Sequence, residues 1–270
     1  MMGRMAASTD GARERSSVKS ADRALALLDF VGERGTVRFA ELVTDLGLPR
    51  SSAHGLVQTL VSRGWLEHDP VARRYSLGLR AWQLGQRYVG HRDLAAVAKP
   101  VMDDLAQELG ETVQMARLDG VENVYIAISE APRPMRLASS VGMRLHAHGT
   151  GIGKALLSQL DPEEARRRLS SVVLPSFTER TLTDVDELLD AVAQARRDGY
   201  AEDNEEYLPG CRCVAVPLRL DGLEGLDGGL VAAISVTAPV FRCGPDWPEP
   251  QLRLLRAGVD RIRARMRSAG

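Results

Sequence analysis

The chain has 270 residues, of which 44% are apolar and 26% charged, and its formal net charge is −1. That balance belongs to a folded protein with room for two ordinary domains and excludes wholesale disorder. No apolar run approaches the roughly 18 residues a membrane span requires, and three cysteines are too few for a disulfide framework, which points to a reducing cytoplasm.

Residues 1–19 are small, polar and basic, lack the apolar stretch of a signal peptide, and are expected to form a disordered tail. A first helix is expected from Ser20, as its cap, to Val31, with Ala24, Leu25, Leu27, Leu28 and Val31 as its apolar stripe. Gly32 and Gly35 break it. A short helix follows over Phe39–Leu46, and Gly47-Leu48-Pro49 then makes a tight turn with glycine where a left-handed C-cap is wanted. The third helix is expected from Arg50 to Ser62, stopped by Gly64. It buries Ala53, Leu56, Val57 and Leu60 and turns Ser51, His54, Gly55 and Gln58 outward. Trp65–His68 and Arg73–Leu77 read as two strands joined by a turn at Asp69-Pro70.

This order is the pattern of a winged helix-turn-helix. A hydroxyl, an amide and an imidazole on the outer face of the third helix, from Ser51, Gln58 and His54, can approach base edges, with Ser52 beside Arg50 in the first turn. Arg50 in its first turn suits a phosphate, because free backbone N–H groups point there. Arg73 and Arg74 on the hairpin can straddle a DNA backbone or enter a minor groove. The net charge conceals an asymmetry that fits: Lys and Arg exceed Asp and Glu in the first ninety residues, and the reverse holds beyond. The competing reading is a three-helix packing unit with a merely solvated face.

A linker helix is expected from Leu79 to Gly90, with Leu84 and Tyr88 on one face, and another over Leu94–Leu109 that must kink or restart at Pro100. Val113–Leu118 and Asn123–Ile128 flank Asp119-Gly120 as a hairpin. Thr183 is expected to cap a helix reaching Asp198, with Asp186 as the capping-box acid and Gly199 as its stop. Arg212–Arg219 and Leu230–Thr237 read as strands, and Leu252, Leu255, Val259 and Ile262 stripe a closing helix. Hairpins with appended helices imply an α+β fold with an antiparallel sheet. The expected layout is thus a tail over 1–19, a winged helix-turn-helix over 20–78, a linker helix over 79–94 and a second domain over 95–268.

Three features invite an enzymatic reading. Gly149-Thr150-Gly151-Ile152-Gly153-Lys154 imitates a phosphate loop, but His148 stands where the first glycine is required and Ala155 where a hydroxyl would hold magnesium. Cys211 and Cys213 with His146 and His148 offer a zinc-capable donor set. The CxC pair is expected on opposite faces of its strand, however, as buried small residues. Asp203, Glu205 and Glu206 form either an acid/base cluster or a solvated acidic turn. No cofactor and no metal are implied.

Several segments together resemble the IclR family of bacterial transcriptional regulators. They are Leu46–His54, Gln58-Thr59-Leu60, Arg74–Gly78, Gly110-Glu111-Thr112-Val113, Val141–His146, Gly151–Leu157, Asp203–Glu206, Gly210–Pro217 and Ala232–Val236, in the family's order. The resemblance implies a GAF-like sensor domain behind the winged helix and no catalysis. It implies an effector pocket on Asp203, Cys213, Ser235, Thr237 and the Gly151-Ile152 backbone. Ser235 and Thr237, two apart on a strand, face the same way. Free N–H groups at the Gly151 turn, opening a helix, are an anion site, so a small polar acid fits such a pocket, and 4% aromatic residues offer few rings to an aromatic one. The implied partners are double-stranded operator DNA, that effector, and a second copy in a homodimer or dimer of dimers. Members often carry arginine where this chain has Gly55, so base contacts there do not transfer. The alternatives are a cytoplasmic enzyme fused to a DNA-binding domain and a ligand-free oligomerising scaffold.

Overall fold

A helix, α1 (Lys19–Arg34), opens the part of the chain that the computed structural model describes, namely residues 18–87, 92–131, 133, 139–221 and 230–269. The expected tail therefore lies outside the described residues, apart from Val18 and Lys19. Helix α1 starts one residue before Ser20: Val18 occupies the cap position and no side chain caps it. Leu27 and Val31 are buried, but Leu25 is exposed, since two residues along a helix turn it about 200° away from Leu27.

A short strand that the sequence pattern does not announce, β1 (Thr36–Arg38), leads into α2 (Phe39–Asp45) and α3 (Arg50–Ser62). Gly47 takes the left-handed φ of 59° that the turn between these helices needs. The hairpin β2 (Leu66–Asp69) and β3 (Arg74–Leu77) follows, then α4 (Leu79–Gly85). The sheet order is β1-β3-β2, antiparallel throughout. Leu27, Val31, Val37, Leu42, Val57, Leu60 and Leu66 form one core. The expected linker helix is described only as α4, and Tyr88 lies outside the described residues.

Met1–Tyr88 and Val89–Gly270 make two separate units. The second begins with α5 (Arg92–Leu109), which runs unbroken through Pro100 instead of restarting there. Proline leaves the carbonyl of Ala96 without its helical donor, and both residues are exposed. Strands β4 (Thr112–Asp119) and β5 (Glu122–Ser129) form the expected hairpin, with Gly120 at φ 61°. Then come β6 (Arg144–His146), α6 (Gly151–Leu157), α7 (Pro162–Ser170) and α8 (Val185–Asp198). The cap of α8 is Asp184, one residue beyond Thr183; its carboxylate accepts from the N–H groups of Asp186 and Glu187 at 2.9 and 3.0 Å. Strands β7 (Ala201–Asn204), β8 (Cys211–Leu220) and β9 (Leu230–Pro239) precede the closing α9 (Glu249–Ala269).

The six strands lie in the order β6-β5-β4-β9-β8-β7, all antiparallel. Strand alternation sorts their side chains. Val113, Met115, Val214, Val216, Ile234 and Val236 face α5 and α9, whose Leu105, Leu252, Leu255, Val259 and Ile262 complete the larger core. Each such Leu or Ile contributes roughly 1.5–3 kcal/mol by leaving water. The opposite face carries Ala116, Ala215 and Ala233 under Ile152, Ala155 and Leu156 of α6. Small residues there let α6 come close to the sheet.

Candidate functional sites in the two units

In the first unit, α3 turns Arg50, Ser51, His54, Gly55, Gln58 and Thr59 to solvent and half-buries Ser52. The edge of Phe39 meets the His54 ring at 6.0 Å, and the Arg50 guanidinium lies 5.8 Å above Phe39. Across from them His68 and Tyr75 stack at 4.6 Å. Between recognition helix and wing lies an open groove of about 640 Å³, lined by Phe39, Arg50, Ser51, His54, His68, Pro70, Arg73 and Tyr75. The wing turn is set by Asp69, whose Oδ1 accepts from the N–H groups of Val71 and Ala72 at 2.8 and 2.9 Å. Those bonds hold its carboxyl below the usual range. Arg73 stands exposed at the turn with a φ of 54°. Arg74 turns instead to Thr36, donating to its Oγ1 at 3.1 Å, and so ties β3 to β1. The two arginines of the wing therefore have different surroundings. Phe39, His68 and Tyr75 were not singled out in the sequence; their rings reveal themselves only where strand and helices converge.

In the second unit, two rungs run across four strands on the face beneath α6. The first consists of Thr112, Thr237, Cys213 and Asp203, paired in that order across β4, β9, β8 and β7. The second consists of Gln114, Ser235, Ala215 and Ala201. Asp203, Cys213, Ser235 and Thr237 thus come together as neighbours. Gly151 lies directly above them: a Cβ on it would stand 3.1 Å from the Asp203 amide nitrogen and 3.2 Å from the Cys213 sulfur. Helix α6 is held there by Thr150, whose Oγ1 accepts from the Gly153 N–H at 3.1 Å and donates to Asn123 Oδ1 at 2.8 Å.

The electrostatics follow from burial. The Cys213 thiol is pushed up to about 12, first by burial and then by Asp203, although the Thr237 and Ser235 hydroxyls and the Ile152 N–H bond to its sulfur. It is therefore a neutral thiol at physiological pH. The Asp203 carboxyl is raised to about 6 by burial, against the pull of N–H bonds from Glu206 and Tyr207. Its Oδ1 accepts those bonds at 2.7 and 3.4 Å. Burial also lifts the Tyr125 phenol well above its ordinary range, with Cys213, Tyr207 and Asp203 adding to the effect.

Three expectations change. The segment Asp203–Glu206 is not a solvated acidic turn: Asp203 and Glu206 are buried, and Glu206 grips the equally buried Lys154 with both oxygens at 2.6 Å. Burial of this segment against α6 forces the pairing, because neither charge is tolerated alone. Cys211 and Cys213 do not take opposite faces, since residues two apart on an unbroken strand share one. They differ in depth, Cys213 being buried and Cys211 only partly so. No group of metal-ligating side chains assembles among the described residues. Finally, four rings of this unit, two of them imidazoles, stand together. Phe177 lies 4.8 Å from Tyr207, 5.5 Å from His146 and 5.6 Å from His148. Burial depresses the His148 pKa, and its Nε2 sits 2.9 Å from the Pro175 carbonyl. The sequence did not single out Gln114, Tyr125 or Tyr207, and it marked Thr112 only within a motif and Lys154 only as part of a phosphate loop; a lysine inside the apolar run Gly151–Leu157 was the one available signal.

A helix-turn-helix with an exposed polar recognition face, carried on the same chain as a six-stranded sheet with a buried polar cluster, defines a DNA-binding regulator of transcription. Comparison with known proteins gives the family. Residues 20–70 match the IclR helix-turn-helix domain and residues 86–264 the bacterial transcriptional regulator IclR C-terminal domain. The chain is 33% identical over 232 residues to the transcriptional repressor IclR of Escherichia coli K12, covering 85% of this chain and 83% of that one. It is 30% identical over 260 residues to the regulator KdgR of the same organism, covering 96% and 97%. An IclR homologue from Microbacterium hydrocarbonoxydans, solved with 4-hydroxybenzoate, superposes with a TM-score of 0.79 at 27% identity, over 92% of this chain and 99% of that one. The chain belongs to the IclR family of bacterial transcriptional regulators.

Proposed function

We propose that this chain binds a two-fold symmetric operator as a cytoplasmic homodimer or dimer of dimers, and that a small organic acid held over the two rungs sets its operator affinity. The observation that supports this most is the convergence of Asp203, Cys213, Ser235 and Thr237 beneath the Gly151-Ile152 backbone. A buried polar cluster under a close-packed helix recognises a ligand only by rearranging, and rearrangement is what couples a ligand to DNA binding. On the DNA side, Arg50 and Arg73 meet phosphates, Arg74 and Ser52 support them, and Ser51, His54 and Gln58 approach base edges.

Sensing fits this cluster better than turnover. A cysteine nucleophile needs its thiolate, and Cys213 holds its proton to about 12. A second copy is the occupant proposed for α4, which buries none of its residues and exposes Leu79, Trp82 and Leu84. Two copies also supply the contacts that one winged helix lacks for specific affinity, with half-sites about one helical turn apart.

The test is an operator gel shift with organic acids added, on wild type and Ser235→Ala. Ser235→Ala should lose the response and keep its acid-free DNA affinity within a few-fold. A response that survives in both Ser235→Ala and Asp203→Ala would place the pocket elsewhere.

A further inference from the structure

Gln114 is fully buried on the second rung, opposite Ser235. Its Oε1 accepts from the Ser235 hydroxyl at 3.3 Å, while its Nε2 has no hydrogen-bond partner among the described residues. A 180° turn exchanges the two ends of an amide; in this structure the nitrogen is the end without a partner. An orphaned buried amide is a costly thing to keep in a core. The neighbouring rung of this face carries the polar Thr112 and Thr237, and neither bonds the Gln114 Nε2. Further along the same face stand Ala116 and Ala233, and beyond Ser235 on its own rung stands Ala215. None has a polar side-chain atom.

We propose that Gln114 is a recognition residue for the effector, its Nε2 donating to one carboxylate oxygen while Ser235 Oγ serves the other. This rests on the effector site proposed above and names the class of ligand it takes, a small carboxylic acid, together with the way that acid lies. Gln114 is on β4 and Asp203 on β7, three strand spacings or about 14 Å apart. A carboxylate on Gln114 and Ser235 is therefore held at the end of the polar face farthest from the Asp203 carboxyl. The reverse orientation would set two carboxylates side by side in a buried site, where like charges repel strongly. Gln114 thus fixes the direction of the ligand as well as one of its contacts.

The experiment uses the full chain as wild type, Gln114→Met and Ser235→Ala. The probes are pyruvate, succinate and 4-hydroxybenzoate, with 4-hydroxybenzyl alcohol as a control that lacks the carboxylate. Melting temperatures and calorimetric titrations are recorded for each. At least one acid should raise the melting temperature of the wild type, and the alcohol should not. Gln114→Met should bind that acid at least about tenfold more weakly, yet melt about 2–4 °C above the wild type without ligand, because an unpaired buried donor has been removed. A Gln114→Met protein that melts below the wild type would make the amide a structural residue and overturn the proposal. Acid binding kept in Gln114→Met but lost in Ser235→Ala would overturn it while leaving the effector site intact. Binding kept in both variants would move the site itself. If none of the three acids binds, or the alcohol binds as well as its acid, the carboxylate class is wrong.

Discussion

Lys154 and Glu206, 52 residues apart in sequence, form a buried ion pair in which one ammonium meets both carboxylate oxygens at 2.6 Å. The pair pins the turn after β7 onto α6, and so fixes Asp203 beneath Gly151. Lys154→Met would leave the Glu206 carboxylate buried and unpaired, at a cost of about 3–5 kcal/mol. The double variant Lys154→Met with Glu206→Leu should recover most of that loss, because two apolar side chains can replace the pair. Urea unfolding of both variants measures it. A loss under 1 kcal/mol in Lys154→Met would show that the pair holds nothing.

Stability should also depend on pH through Asp203. Its folded-state carboxyl is raised from 3.8 to about 6, so the folded protein holds this proton more tightly than the unfolded chain does. That contribution is complete below about pH 4 and lost as pH rises through 6. Asp203→Asn removes it while keeping an acceptor for the Glu206 N–H. Between pH 4 and 7 the wild type should lose stability relative to Asp203→Asn by an amount on the order of 3 kcal/mol. Parallel pH profiles for the two proteins would refute this.

Two residues on the exposed side of α3 should separate affinity from specificity. Arg50→Ala should weaken binding to operator and random DNA alike and lower the slope of log affinity against log salt by about 1. Gln58→Ala should cost about 1–3 kcal/mol on the operator alone. Fluorescence anisotropy on both DNAs across a salt series distinguishes them. Equal losses on the two DNAs for Gln58→Ala would end its base-reading role.

Two glycines should respond to alanine in opposite ways. A Cβ on Gly153 would lie 2.2 Å from the Ala147 carbonyl oxygen, a backbone atom that cannot step aside. Gly153→Ala should therefore cost about 3 kcal/mol. A Cβ on Gly55 meets nothing within 4 Å, so Gly55→Ala should stabilise the first unit by roughly 1 kcal/mol through helix propensity. Thermal unfolding checks both.

The first unit was largely legible in the sequence because its signals are local. The limits of α3 at Arg50 and Ser62 follow from an apolar period closed by a glycine, and the wing follows from two short β-rich runs around Asp69-Pro70. Three residues of β1 are too few to carry a pattern, and their partner lies 38 positions away at β3. At the start of α8, Thr183 and Asp184 are adjacent candidates, and only geometry selects the aspartate. The effector-site residues came from motifs quoted in the family's order, and strand register brings them onto two rungs. Gln114 stayed hidden. On a strand it reads as one polar residue among apolar neighbours, and its meaning depends on Ser235, 121 positions later. Lys154 was judged against a phosphate loop that it fails, while its true partner, Glu206, lies 52 positions on.

Gly55 sits in the middle of the recognition helix on its exposed face, with open space where a side chain would go. A Cβ placed there displaces no atom of the fold and points off the face proposed to meet DNA. The position is therefore exempt from the packing constraints that hold Ala53, Val57 and Leu60 in place on the same helix. After a gene duplication, this codon can drift while the protein stays folded, and each new side chain would try out a different operator. Paralogues descended from this chain should diverge in their target genes here before they diverge anywhere in the core of that unit.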